Sequence, residues 1–74
     1  MKKQDKEYLQ LIGKNVRAKR EKMGMSQQAL ADYSNISKST IQKIELARWS
    51  ATILTLRNIC QALEMDLSDL VKGK

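Results

Sequence analysis

Histidine and proline are absent from this sequence, and cysteine occurs once, at Cys60. One cysteine forms no intrachain disulfide. Without histidine there is no Cys/His set to hold a structural zinc, so no metal site is expected. Aromatic residues make up 4% of the chain and glycines number three, too few turn formers for a sandwich of many short strands. No apolar run approaches the roughly 18 residues of a membrane span. The N-terminal "MKKQDKEYLQ" has charges but no apolar stretch behind them, unlike a secretory signal. With no phosphate-cradling glycine loop, no metal set and no nucleophile–base pair, an enzyme is rejected and no cofactor or small-molecule ligand is expected. A reduced, cytoplasmic protein is the expectation, associated with the nucleoid if it binds DNA.

What is present is aliphatic and basic. Hydrophobic residues make up 42%, mostly Leu, Ile, Met and Ala, which favour helices. The 74 residues allow one domain. A domain this small buries only about 60% of its unfolded surface, so packed helices, with or without a second copy of the chain, must supply the stability. The net charge is +6, and residues 1–25 contribute +5 of it through eight Lys/Arg against three Asp/Glu. Such a balance points to a polyanionic partner.

Periodicity divides the chain into five helical segments. Residues 1–6 have nothing to bury and form a flexible tail; residues 7–72 form the domain. "YLQLIGKNVRAKREKMG" is the first helix, with Leu9, Ile12, Val16, Arg20 and Met23 near one stripe. Gly13 weakens it slightly, and Gly24 closes it. Ser26 caps "QQALADYS", with Leu30 and Ala31 inward. Asn35 makes the turn, and Ser37 caps "KSTIQKIELA", with Ile41 and Ile44 inward. Thr52 opens the fourth helix, striped by Ile53, Leu56, Ile59, Cys60 and Leu63. "LSDLV" is a short fifth helix, with Asp66 and Asp69 spaced as an acidic capping box. Cys60 on the buried stripe is a small core hydrophobe, and Met23, Met25 and Met65 are core filler.

Between Ser26 and Glu45 two short helices are joined by a turn of three or four residues, the connection of a helix-turn-helix. Ala31 is small where the helices must approach, Asn35 tolerates a left-handed turn, and Ile41 and Ile44 anchor the second helix. "SQQALADYSNISKSTIQKIE" resembles the Xre/Cro family of phage-repressor-like DNA-binding domains. The resemblance runs from about Leu11 to Leu70 without gaps. "RAKREKMGMSQQALA" is similar to the family's first-to-second helix passage, and "TLRNICQALEMDLSDL" to its fourth and fifth helices. It implies an all-α, compact five-helix bundle, lambda-repressor-like, with the helix-turn-helix formed by helices 2 and 3. It also implies that the third helix enters the major groove of double-stranded DNA, usually as a homodimer on a palindrome.

Carried over residue by residue, the resemblance places Gln27 at a DNA phosphate. Lys38, Ser39 and Lys43 fall at base-reading positions, the lysines suited to guanine O6/N7. Thr40 and Gln42 flank these as backbone candidates, and Arg48 would reach a phosphate. Lys14 and Arg17 would add long-range attraction or backbone contact. Exposure alone reads Lys38 and Lys43 as ordinary solvated charges; the resemblance turns them toward DNA. Arg20 and Glu45 are expected to form a structural ion pair tying the first helix to the end of the third.

The loop after the third helix departs from the family. Here "LARWSAT" has Ala47 where a glycine is common and Ser50-Ala51 where Asn-Pro is common. Trp49 in this loop is read first as packing, with a DNA-backbone contact or a subunit interface as alternatives. Leu54, off the main stripe, joins Trp49 and the C-terminal "LVKGK" in a small apolar patch suited to dimerisation. The function expected is a sequence-specific transcriptional regulator. With no room for a ligand-sensing domain, control would come from its concentration or its partners. The alternative is an antitoxin-like module that neutralises a toxin and autoregulates its operon. A basic membrane-surface helix at residues 8–23 is a weaker reading, because core packing explains its apolar face.

Overall fold

Three hydroxyl caps set the frame. Ser26, Ser37 and Thr52 lie just before helices, in extended backbone, and each side-chain oxygen accepts the N–H three residues on, from Ala29, Thr40 and Thr55. Each satisfies a donor that a helix start leaves free. In the computed structural model, which describes residues 2–73, these caps open α2 (Gln27–Ser34), α3 (Lys38–Glu45) and α4 (Ile53–Ala62). They follow α1 (Lys3–Lys22), and a 3-10 helix, Leu67–Val71, ends the described chain.

All four α-helices close in one way. A residue one or two beyond the last helical position lies in the left-handed region: Gly24 (φ 72°), Asn35 (57°), Ala47 (57°) and Glu64 (55°). Allowing for α2, whose left-handed residue follows Ser34 directly, each closure carries the same bonds. The N–H after the left-handed residue reaches five back: Met25 to Arg20, Ile36 to Ala31, Arg48 to Lys43 and Met65 to Cys60. The left-handed residue's own N–H reaches three back. This is the Schellman closure, built for glycine, and two of its four seats hold Ala47 and Glu64.

The core is Val16, Leu30, Ala31, Ile41, Ile44, Ile59, Cys60, Leu63 and Leu70, with Met23, Met25, Ile36 and Met65 packed against it. Helix α3 packs on α1 and α2, α4 packs on α2, and the 3-10 helix packs on α1 and α4. Burial pushes the Cys60 thiol pKa up, aided by Asp69 and Asp66. Among the described residues, no helix is long and apolar enough to cross a membrane.

Three expectations are corrected. Among the described residues the bundle has four α-helices rather than five. The last segment is five residues long and is held by i→i+3 bonds, Asp69 N–H to Asp66 O at 2.9 Å and Lys72 N–H to Asp69 O at 3.4 Å, which close a turn in less chain than an α-helix needs. Its place on α1 comes from Asn15, whose amide donates to the carbonyls of Leu70 at 2.7 Å and Lys72 at 3.0 Å. Second, α3 stops at Glu45, because Ala47 has left the helical region. Third, α1 starts at Lys3 and not at Tyr8; Lys3–Lys6, placed in the flexible tail, are helical and exposed. Met1, the first residue of that tail, lies outside the described residues, as does Lys74.

Gly13 also takes a different role. A Cβ at this position would lie 2.5 Å from the Ile44 carbonyl oxygen and 2.8 Å from that of Glu45. The backbone at the end of α3 therefore rests directly on α1, and a side chain there has no room.

Candidate nucleic-acid interface

Helix α3 divides cleanly by face. Ile41 and Ile44 are buried. On the opposite side Lys38, Ser39, Gln42 and Lys43 are all exposed. Their spacing of one, four and five residues puts them on one stripe. Leu46 extends it and is 60% exposed, which the sequence reading missed. At the start of the stripe, Ser37 Oγ lies 3.2 Å from Ser39 Oγ and 2.8 Å from Thr40 Oγ1. Ser39 and Thr40 are thus engaged in the cap network, and Thr40 is partly buried.

The angle of this helix is held by a buried polar hub. Arg20 Nε donates to Glu45 Oε2 at 2.7 Å and Nη2 to Glu45 Oε1 at 3.1 Å. The third arm of the guanidinium, Nη1, donates to the Met25 carbonyl at 2.8 Å. The side chains are only 11% and 4% exposed, so this forked pair is largely removed from solvent. Hydrogen bonding to Glu45 raises the Arg20 pKa against the opposing effect of burial. Gln27 Nε2 also donates to Glu45 Oε1, at 3.1 Å. One carboxylate therefore ties α1, the start of α2 and the end of α3 together. Sequence reasoning gave Gln27 to a phosphate; the structure shows one of its amide donors bonded to the hub.

The remaining candidates are distributed around α3. Lys14 and Arg17 are exposed on α1 and line a shallow cleft with Glu45, Leu46 and Ala47, so packing brings them beside the end of the exposed α3 stripe. Arg17 is shared with Glu21, Nε to Oε2 at 3.3 Å, in an exposed pair. Arg48 is exposed just past α3, and its backbone is fixed by the N–H bond to Lys43 O at 2.8 Å. Trp49 turns away from this set and, 40% exposed, lines a groove with Tyr8, Leu9 and Ile12 of α1. Sequence gave no sign of the Met25 carbonyl as a guanidinium partner, because a backbone acceptor leaves no mark on residue type. Gly13 did carry a signal, since a glycine inside a periodic helix commonly marks close packing.

Similar proteins place this arrangement in a known group. The helix-turn-helix family model HTH_3 matches residues 16–70. No curated protein is similar enough in sequence to count as a match. Among solved structures, the chain is similar to an HTH_3 family transcriptional regulator from Vibrio cholerae, with 30% identity and a TM-score of 0.84. The alignment covers 89% of this chain and 37% of that one, so this chain spans well under half of that relative. The restriction-modification controller protein C.AhdI from Aeromonas hydrophila aligns at 24% identity and TM-score 0.81, over 84% of this chain and 94% of its own. The clp gene regulator ClgR from Corynebacterium glutamicum aligns at 23% identity and TM-score 0.82, over 86% and 82%. At that identity the last two speak for the fold alone. With its family model spanning most of the chain and its two short helices set around a buried Arg20–Glu45–Gln27 hub, this chain belongs to the HTH_3 helix-turn-helix family.

Proposed function

We propose that the chain is a sequence-specific, double-stranded DNA-binding transcriptional regulator, acting as a dimer on a palindromic operator with α3 in the major groove. The observation that carries this reading is the exposed stripe Lys38, Ser39, Gln42 and Lys43 on a helix whose opposite face is locked into the core. A rigid helix with polar and cationic outward residues suits base-edge readout. Lys38, Ser39 and Lys43 read bases, with Lys38 and Lys43 donating to guanine. Thr40, Gln42 and Arg48 meet the backbone. So does Gln27, whose amide has two donors and commits one to Glu45. Lys14 and Arg17 flank the groove and add to the positive field. In a dimer, two α3 helices address half-sites about 34–36 Å apart.

Selection from random duplexes tests the reading: the expected product is a palindrome with two equal half-sites. Binding should fall with salt at a log–log slope of about −0.9 per phosphate contact. Lys43→Ala should relax preference at one position per half-site, and Arg48→Ala should weaken all duplexes alike. A protein that prefers no duplex over competitor DNA is not this regulator.

A further inference from the structure

On the side of the fold bounded by the first half of α1 and the passage from α3 to α4 lies an open groove of about 620 Å³, within the roughly 300–1,000 Å³ of small-molecule sites. Helix α1 gives it one wall. Asp5, Tyr8, Leu9 and Ile12 all line it, at the i, i+3, i+4 and i+7 spacing of a single stripe. Ile44, buried on the inner side of α3, and Trp49 from the loop line it as well. The chain has three aromatic residues, one Trp and two Tyr, and two of them are here. It also has 14 Lys/Arg, and among the described residues none of these lines the groove. Asp5 is the one charged residue in the lining among those described. In a protein of net charge +6, this groove is aromatic and aliphatic, and its lining carries a single negative charge.

We infer that this groove is a binding site for lipophilic organic cations, molecules that carry one onium or ammonium charge on an aromatic or aliphatic body. Each part of such a ligand meets a matching part of the lining. Leu9, Ile12 and Ile44 offer apolar surface to the body. Tyr8 and Trp49 offer ring surface, and a cation is drawn to the face of a ring by its quadrupole. Asp5 supplies the counter-charge. Other classes of ligand use less of the groove. An anion is repelled by Asp5 and finds its partners among the cations elsewhere on the chain. A small hydrated metal ion leaves the aliphatic surface unused. A neutral apolar molecule leaves Asp5 unused. The sequence suggested no small-molecule ligand because it holds no catalytic or metal set; this groove is made by packing α1 against the α3–α4 passage, which residue type does not declare. Lys38, Ser39 and Lys43 lie outside it, and the inference does not rest on the DNA reading.

Trp49 is the only tryptophan, so its fluorescence reports occupancy of the groove in the full chain, without DNA. Two probes with the same three phenyl rings separate charge from shape: methyltriphenylphosphonium, a cation, and triphenylphosphine oxide, which is neutral. The phosphonium should change Trp49 emission saturably. It should bind at least about 5-fold tighter than the oxide, the worth of one ion pair at about 4 Å in water. Calorimetric titration then reads the variants. Asp5→Asn should weaken the phosphonium about 5-fold and leave the oxide unchanged. Asp32→Asn removes another exposed carboxylate, on α2, and should change neither, which sets local charge apart from net charge. Trp49→Phe should keep most of the affinity, and Trp49→Ala should lose about 2- to 5-fold, with circular dichroism unchanged. No saturable response up to the solubility limit of the phosphonium overturns the inference. So does equal affinity for the two probes, or phosphonium binding indifferent to Asp5→Asn. The DNA reading fails separately, because phosphonium binding needs no duplex and duplex selection needs no phosphonium.

Discussion

Replacing Ala47 by glycine should make the protein more stable. Ala47 is held at φ 57° by the closure of α3, through its own N–H to Ile44 O at 3.1 Å and that of Arg48 to Lys43 O at 2.8 Å. An L-residue in that left-handed well costs about 1–2 kcal/mol, from the crowding of Cβ against the backbone. Glycine relieves this but makes the unfolded chain more flexible, an opposing effect of about 0.5–1 kcal/mol. The net gain is about 0.5–1 kcal/mol, which for a domain of this size raises the melting temperature by about 2–8 °C. Thermal and urea unfolding at fixed protein concentration measure it, with a higher urea midpoint and an unchanged slope expected. Gly24 supplies an internal control. It closes α1 at φ 72°, and a Cβ there meets no atom within 4 Å, so Gly24→Ala brings the same two opposing effects with no steric clash and should lower stability by a similar amount. If Gly24→Ala destabilises while Ala47→Gly leaves the midpoint unmoved or lowers it, the strain assigned to Ala47 is wrong.

Four further outcomes can be checked on the same instruments. Glu45→Gln leaves the buried Arg20 guanidinium with only the exposed Glu21 carboxylate, 4.0 Å away, as counter-charge and should cost up to about 3–5 kcal/mol; an unchanged melting temperature would show the pair is not structural. Gly13→Ala, which on an open helix gains about 1 kcal/mol, should instead lose about 1–3 kcal/mol by overpacking against the Ile44 carbonyl; chemical denaturation that shows a gain would contradict the close approach. Ser34 Oγ is buried with no hydrogen-bond partner among the described residues, so Ser34→Ala should raise stability by about 1 kcal/mol, and a drop would mean the hydroxyl is bonded after all. Hydrogen bonds from Lys72 and from the Asp66 N–H hold the Asp69 carboxyl pKa below its usual value. Its stabilising effect is therefore full above about pH 3.9, the unfolded value, and is lost as pH falls through the lower folded value. Acid titration of wild type against Asp69→Asn should show the two curves converging in that window, and parallel curves would refute it.

The helix-turn-helix was legible because its signals are local. Ser26, Ser37 and Asn35 each act within four residues, and α2 runs over the residues its cap and turn mark out. Features that depend on a distant backbone were not. Gly13 read as a weak point in a helix until the α3 carbonyls appeared over it. The start of α1 was set too late because apolar periodicity marks only where a helix is buried, and Lys3–Lys6 are helical without burial. The last segment has the acidic signals of a helix start, Asp66 and Asp69, but Asn15 and the short span hold it as a 3-10 turn. Ala47 was noticed as a substitution for glycine, and its consequence, the end of α3 at Glu45, follows from a dihedral angle that residue type does not declare. At the candidate site, the exposed and buried faces of α3 follow from spacing, whereas the bond from Gln27 to Glu45 depends on how two helices cross.

The backbone contact at Gly13 separates two kinds of change that most binding proteins confound. What mounts α3 is glycine against carbonyl oxygen, Ile41 and Ile44 in the core, and Glu45 in the hub; none of these is a residue of the outer stripe. Lys38, Gln42 and Lys43 can therefore be exchanged as lettering on a fixed plate, altering what the helix presents without shifting where it stands. The outer face can thus vary by steps that leave folding untouched, and a library randomised at those three positions should yield folded members at nearly every draw.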